Sequence, residues 1–481
     1  MNKHILLSLA VLSGVASSSL CAHAVRVPAN QPTIQLGITA AADGDTVLVE
    51  PGVYKENINF RGKLIVVTSR YEDLADSAII ATTIIDGSTP IHPDTGSVVV
   101  IANHEDSTAV LQGFTIRGGT GTKWTDEHGS GVYREGGGIL VASSSPTIRD
   151  NVIVNNAVAL GGVTSAGGGG IRAGDGKPHI LHNIISGNTG RYGAGVVLNF
   201  SDVVFRNNIV TGNAGGQDYG GGAVWINHPG ASTKIFENNT ITANSAAGGG
   251  IYVWFGSATI VRNTIVWGNT GPQMAVRTGA ALTVTYCDVQ GGYAGTGNIN
   301  SDPSFKDLFF HLNDSSHCVD GGDTAIAVHD PLNPADTVTA LWPSLGTTRS
   351  DIGVYGGPGR LNFPPLSGAT SVGYVQGGAR PGGFYLEQNY PNPFNPSTNI
   401  GYTIASSKEQ VAGSMKQVGM ERVRLAVYDL LGQEVAVLVD GYQTPGEHRV
   451  VFDARNLASG VYLYRLTSGG QSLSSKLVLL R

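Results

Sequence analysis

Gly168-Gly169-Gly170-Ile171, then Asn183 twelve residues on and Asn188 five further, is the stretch on which the fold turns, because it is one copy of five. The glycine signature recurs as Gly136-Gly137-Gly138-Ile139, Gly193-Ala194-Gly195-Val196, Gly220-Gly221-Gly222-Ala223 and Gly248-Gly249-Gly250-Ile251. The asparagine pairs are Asn151 with Asn156, Asn208 with Asn213, Asn239 with Asn244, and Asn263 with Asn269 at a gap of six. Apolar residue and first asparagine are 12 apart in every unit except Ala223 to Asn239, where the distance is 16. A constant half-turn followed by a variable one describes the stacked coils of a parallel β-helix, whose repeats must stack to bury an apolar face that none can bury alone. Asparagine suits one register because its neutral amide can bond its copy in the next coil, roughly 4.8 Å away, and because it tolerates left-handed backbone. Glycine is expected where the chain bends with positive φ.

The rest of the composition agrees with this reading. Glycine reaches 68 of 481 residues but is periodic, so it marks turns. Met1-Asn2-Lys3, an apolar run from Ile5 to Leu20 and Ala22-His23-Ala24 read as a signal peptide over 1–24, cut after Ala24. No other segment is long enough to span a membrane as a helix. With 36 acidic against 30 basic residues, the charge argues against nucleic acid and anionic membranes as partners. After the leader is removed, Cys287 and Cys318 remain, and the sequence leaves open one disulfide or two free thiols.

Near the N-terminus, Pro32-Thr33-Ile34 precedes a short capping helix expected over Ile34 to Ala42. Asp43-Gly44-Asp45-Thr46-Val47 and Pro51-Gly52-Val53-Tyr54 then open the first coil. This opening resembles secreted right-handed β-helix proteins of the pectin-lyase-like group. Thr82 to Gly87, Ser97 to Ala102 and Leu111 to Gly119 supply further coils, with Phe114 in the asparagine register. Phe205 to Asn208 and Phe236 to Asn239, alternating with the glycine signature, also resemble the repeat of chlamydial polymorphic outer-membrane proteins, which implies surface display. Ala281 to Gly292 makes a last clear coil, and the stretch through Cys318 to Asp323 and Arg349 to Gly357 is expected to cap it.

Leu361 to Gly383 is a linker rich in glycine and proline. Beyond it, Asn389-Tyr390-Pro391-Asn392-Pro393-Phe394-Asn395-Pro396 and alternating strands through Val423 to Tyr428, Gly446 to Phe452 and Val461 to Arg465 argue a small β-sandwich. These residues closely resemble the C-terminal sorting domain of the type IX secretion system, apart from an insertion near Ser406 to Met420. The resemblance implies export across the inner and then the outer membrane of a Gram-negative bacterium. The expected architecture is therefore all-β: signal peptide 1–24, right-handed parallel β-helix with caps over 25–360, linker 361–383, and an immunoglobulin-like sorting sandwich over 384–481.

Chemistry must sit outside the stacked core, in loops or on outward strand faces. The longest loop holds Lys123, Trp124, Glu127, His128, Tyr133, Arg134 and Glu135. Aligned on the glycines, Glu135, Gly167, Tyr192, Tyr219 and Ala247 share one register, and Arg134, Ala166, Arg191, Asp218 and Ala246 the one before it. Aromatic rings flanked by guanidinium and carboxylate groups suit a sugar chain. Trp124, Arg134, Glu135, Arg191, Tyr192, Asp218 and Tyr219 are thus candidate polysaccharide-binding residues, with the bland alternative that the tyrosines brace a loop and the charges are solvated. If bonds are broken, His128, Glu135 and Asp218 are the catalytic candidates. A second ladder, Asp150, His182, Asn207, Asn238 and Arg262, places an acid beside a histidine, more in keeping with surface pairing than with catalysis. The paired aspartate and Arg-Ile-Lys tripeptide of the pectin-degrading hydrolases do not occur. No metal-ligand spacing is found; no cofactor is expected, calcium alone being left open. The function expected is a monomeric, secreted or surface-displayed protein that binds polysaccharide or attaches to a surface, its partners being glycan and the type IX machinery. A polysaccharide lyase or glycoside hydrolase is the alternative, and a structural spacer the third.

Overall fold

The computed structural model describes residues 23–71, 77–129, 131–227, 234–256, 259–307, 309–336, 338–359, 385–386, 389, 394–404, 421–429, 433–444, 446–468 and 471–479. Most of the expected signal peptide, the linker, the Tyr390 to Pro393 run and the Ser406 to Met420 insertion lie outside these residues.

Three parallel sheets of ten, nine and eight strands form the walls of the helix. The first includes Thr147–Arg149, His179–Leu181, Val204–Arg206 and Lys234–Glu237; the second Val152–Val154, Ile184–Ser186 and Ile209–Thr211; the third Ile139–Ala142, Ile171–Gly176, Val196–Ser201, Val224–Asn227 and Ile251–Phe255. Register places like on like. Ile148, Ile180, Phe205 and Phe236 stack in one inward column, and Ile153, Ile185, Val210 and Ile241 in another. The result is a single apolar core running through the coils. A helix over Ile34–Ala40, capped by the Thr33 side chain, closes the first coil with buried Ile34 and Ile38, as expected.

Both asparagine registers form buried ladders. The amide N–H of Asn151 and its Nδ2 donate to Asn183 Oδ1, each at 3.1 Å, and the pattern repeats from Asn183 to Asn208 and from Asn208 to Asn239. Asn156, Asn188, Asn213, Asn244 and Asn269 repeat it at the next corner. Phe114 sits in the first register, its N–H donating to Asn151 Oδ1. Glycine has two reasons to recur. Gly168 bends the chain at φ 62, but Gly170 is required by proximity: a Cβ there would lie 2.6 Å from the Gly195 carbonyl oxygen of the next coil.

The first ladder does not end as the spacing suggested. Asn239 N–H donates to Thr264 Oγ1, not to Asn263, and Thr264 N–H donates to Cys287 Sγ. The cause is a β-bulge: Ile226 pairs Val253 but Asn227 pairs Phe255, so Trp254 is an extra residue. Everything after it moves by one, which makes Thr264 the true partner of Asn269. Asn263 belongs instead to the neighbouring row with Asp150, His182, Asn207 and Asn238, every member of which has φ between 49 and 57. Left-handed backbone selects these short polar residues, and Arg262 is not among them.

Residues 293–300 cover the last coil: Tyr293 packs on the core, Asn298 Nδ2 donates to Val284 O, and Ile299 N–H donates to Cys287 O. The chain then runs back along the flank. Asn207 Nδ2 donates to Val354 O and Gly356 O, and Asn238 Nδ2 to Asp351 O. Phe310, Val354 and Tyr355 cover Val152, Ile184 and Ile209, apolar residues that point outward from the second sheet. That unusual apolar outer face is why the expected cap becomes a lateral strap. Cys287 and Cys318 are both free and buried, and the Cys318 thiol donates to Asp288 Oδ2 at 3.1 Å, so no disulfide joins them.

The C-terminal domain is a sandwich of a three-stranded and a four-stranded antiparallel sheet. Ile400, Tyr402, Val423, Leu425, Phe452, Tyr464, Leu466 and Leu477 form its own core.

Candidate functional site

The outer face of the third sheet is where the candidate residues meet. The second residue of each strand, which faces outward, reads Leu140, Arg172, Val197, Trp225, Tyr252 and Ala275 in successive coils. A hairpin of Gly121–Thr125 and Val132–Glu135 projects from the coil before and joins Ser165–Gly167 by parallel pairing. Gly167 pairs in turn with Tyr192, so Glu135 and Tyr192 share a register as expected.

Arg172, which the sequence reading did not single out, is the hub. It is fully buried; Nε donates to Glu135 Oε2 at 3.0 Å, and Nη1 and Nη2 donate to Glu127 at 2.8 and 2.5 Å. Glu135 is 3% exposed, and its other oxygen accepts the Tyr192 hydroxyl at 2.5 Å. Burial raises the Glu135 carboxyl, an effect that Arg172 and Tyr192 only partly offset. At Glu127, burial is outweighed by the Arg172 hydrogen bonds and charge, which hold the carboxyl below its ordinary value. Trp124 Nε1 donates to Glu127 Oε1, so the hairpin tip is tied down by one carboxylate.

The other candidates are also engaged. Arg134 is buried, bonded to Asp94 Oδ1 at 2.6 Å and to the Pro93 and Gly121 carbonyls. Arg191 and Asp218 form a bidentate pair at 2.5 and 2.6 Å, and Ser165 Oγ donates to Asp218. His128 Nε2 lies 2.7 Å from Asp175 Oδ1 and its ring stacks on Phe200 at 3.7 Å. His182 Nδ1 and Asp150 Oδ1 are 3.5 Å apart, on the flank where the strap runs rather than on this face. The structure therefore brings Glu135, Tyr192, Asp218, Arg191 and Tyr219 together, but Glu135, Tyr192 and Arg134 are sealed from solvent and brace the face instead of presenting it.

What the face presents is aromatic. Tyr192 packs edge-on to Tyr219 at 5.2 Å and to Trp225 at 5.1 Å, forming a buried floor. Over it, Tyr219, Tyr252 and Trp254 are half-buried, with Trp254 at 5.5 Å from Tyr219 and 6.4 Å from Tyr252, and Phe255 is 48% exposed. Arg277 lies over the Trp254 ring at 4.0 Å. Tyr252, Trp254, Phe255 and Arg277 were missed because they fall past the glycine-aligned loops, in and after the bulged strand. The available signal was Ile251-Tyr252-Val253-Trp254-Phe255, a run of outward aromatics in a chain with 7% aromatic residues. Among the described residues, no group of three or more histidine, cysteine, aspartate or glutamate side chains is arranged to hold a metal ion.

Two families match the chain. One, described as right handed beta helix region, matches residues 74–265 and 194–326, together more than half of the chain. The other, described as secretion system C-terminal sorting domain, matches residues 388–480. No curated protein and no solved structure matches it.

Proposed function

Because the chain belongs to the right-handed β-helix family and ends in a type IX secretion sorting domain, which directs it to the cell surface or extracellular space, we propose that it binds polysaccharide there through the outer face of its third sheet. The observation that supports this reading is the cluster of Tyr219, Tyr252 and Trp254 over a floor fixed by Tyr192 and Trp225, with Phe255 exposed at the end of the bulged strand. Half-buried rings fixed by a packed layer can stack on the apolar faces of sugars at little entropic cost. The buried Arg172, Glu127 and Glu135 network sets the shape of that face. The test is affinity electrophoresis of the whole exported protein through a panel of polysaccharides, with reducing ends and unsaturated products followed in parallel. Retention by at least one polymer, lost in Tyr252→Ala with Phe255→Ala and unaccompanied by product, is expected. Retention that is indifferent to both substitutions would refute the reading.

A further inference from the structure

The patch around the bulge holds unused polar groups. The polar groups that build the floor and flanks of the face are engaged: Trp124 on Glu127, Trp225 Nε1 on Tyr219 O, Tyr192 on Glu135, Arg172 on two carboxylates, Arg191 on Asp218 and His128 on Asp175. Among the described residues, the Trp254 indole N–H, the Tyr252 hydroxyl and the Arg277 guanidinium make no side-chain hydrogen bond or ion pair. Arg277 is nevertheless held in place. Its backbone N–H donates to Val253 O at 2.9 Å and its guanidinium lies 4.0 Å from the centre of the Trp254 ring. Among the described residues of the third sheet the bulge exists at this strand alone, and it is what aims Trp254 beneath Arg277.

A planar cation fixed on an indole, with no carboxylate within ion-pair distance among the described residues, is complementary to an anion. Tyr252 and Phe255 beside it offer ring surface to the sugar that carries the anion. We propose that Arg277, positioned by Trp254, forms a subsite for an anionic sugar, so that the ligand of this face is a polysaccharide bearing carboxylate or sulfate groups. This rests on the polysaccharide-binding reading above and adds the ligand's charge to it. The guanidinium can donate two parallel hydrogen bonds to either anion, and a charge-assisted contact of this kind contributes about tenfold in affinity when partly solvated.

The experiment compares retention of the full exported chain by alginate and by the same polymer with its carboxyls reduced, and by dextran sulfate and dextran. Retention about tenfold stronger on at least one charged polymer than on its neutral counterpart is expected, with the preference abolished by Arg277→Gln and weakened by Arg277→Lys, which keeps the charge but not the fork. Which charged polymer is preferred separates carboxylate from sulfate. Arg277 is exposed, so an unchanged thermal transition in each variant would show that the fold is intact. Equal retention by charged and neutral polymers, or a preference that survives Arg277→Gln, overturns the anionic subsite while leaving polysaccharide binding standing. Retention by none of the polymers overturns both.

Discussion

Replacing Arg172 by methionine removes the cation that Glu127 and Glu135 share, and its cost can be worked from the geometry. Glu135 is 3% exposed and has Arg172 as its only cationic partner within ion-pair distance among the described residues. Breaking a buried pair by removing one partner costs about 3–5 kcal/mol, because the remaining charge is left uncompensated. The Tyr192 hydroxyl still donates to Glu135 and retains roughly 1 kcal/mol of that, which puts Arg172→Met near 3 kcal/mol. Glu127 contributes less, since its side chain is 14% exposed and water can replace the guanidinium. Adding Glu135→Gln removes the orphaned charge, and the double variant should recover about 2 kcal/mol relative to the single one. The pH dependence has a definite sign. Burial already raises the Glu135 carboxyl, and it rises further without Arg172. A raised folded pKa means that protonation favours the fold, so the deficit is smallest below the ordinary glutamate range and grows as pH rises through the folded value. The assay is guanidinium denaturation of the exported protein followed by tryptophan fluorescence, together with proteolysis at the hairpin tip, which should become faster once Glu127 is released. A single variant as stable as the wild type, or a double variant no better than the single, would refute the charge-compensation reasoning.

Two further outcomes follow from the ladders and the strap. Asn208→Ala strands the buried Asn183 N–H, takes one acceptor from Asn183 Nδ2 and one donor from each of the Ile180 and Arg206 carbonyls, and should cost about 2–4 kcal/mol, read by the same denaturation and by faster amide exchange at Asn183. The Asp288 carboxyl, pushed up to about 6 by burial, accepts the Ser301 N–H and the Cys318 thiol. Its protonation supports the fold fully below pH ~4, and this support, about 2–3 kcal/mol, is lost as pH rises through about 6. After correction for intrinsic exchange, amide protection at Ser301 and Cys318 should therefore fall between pH 4 and 7, and protection that is constant across that range would exclude the mechanism.

The period of this chain was legible in its residues because stacking imposes the same demand on every coil. A position that approaches the next coil's carbonyl admits only glycine, as at Gly170, and a buried corner that must bond its own copy admits a neutral amide, as at Asn183 and Asn208. The sorting sandwich was legible for a related reason, its alternating strands and turn residues being local. Three things were decided only in the tertiary structure. The Trp254 bulge shifts the ladder from Asn263 to Thr264, and a count of residues cannot locate an insertion that is absorbed inside a strand. The strap lies on the flank because Val152, Ile184 and Ile209 present apolar side chains there, a demand visible only once the faces of the strands are known. The candidate face itself followed the same rule. Its register placed Glu135 beside Tyr192, but whether those groups meet a ligand or each other depended on Arg172 arriving from another strand to take their charge into the interior.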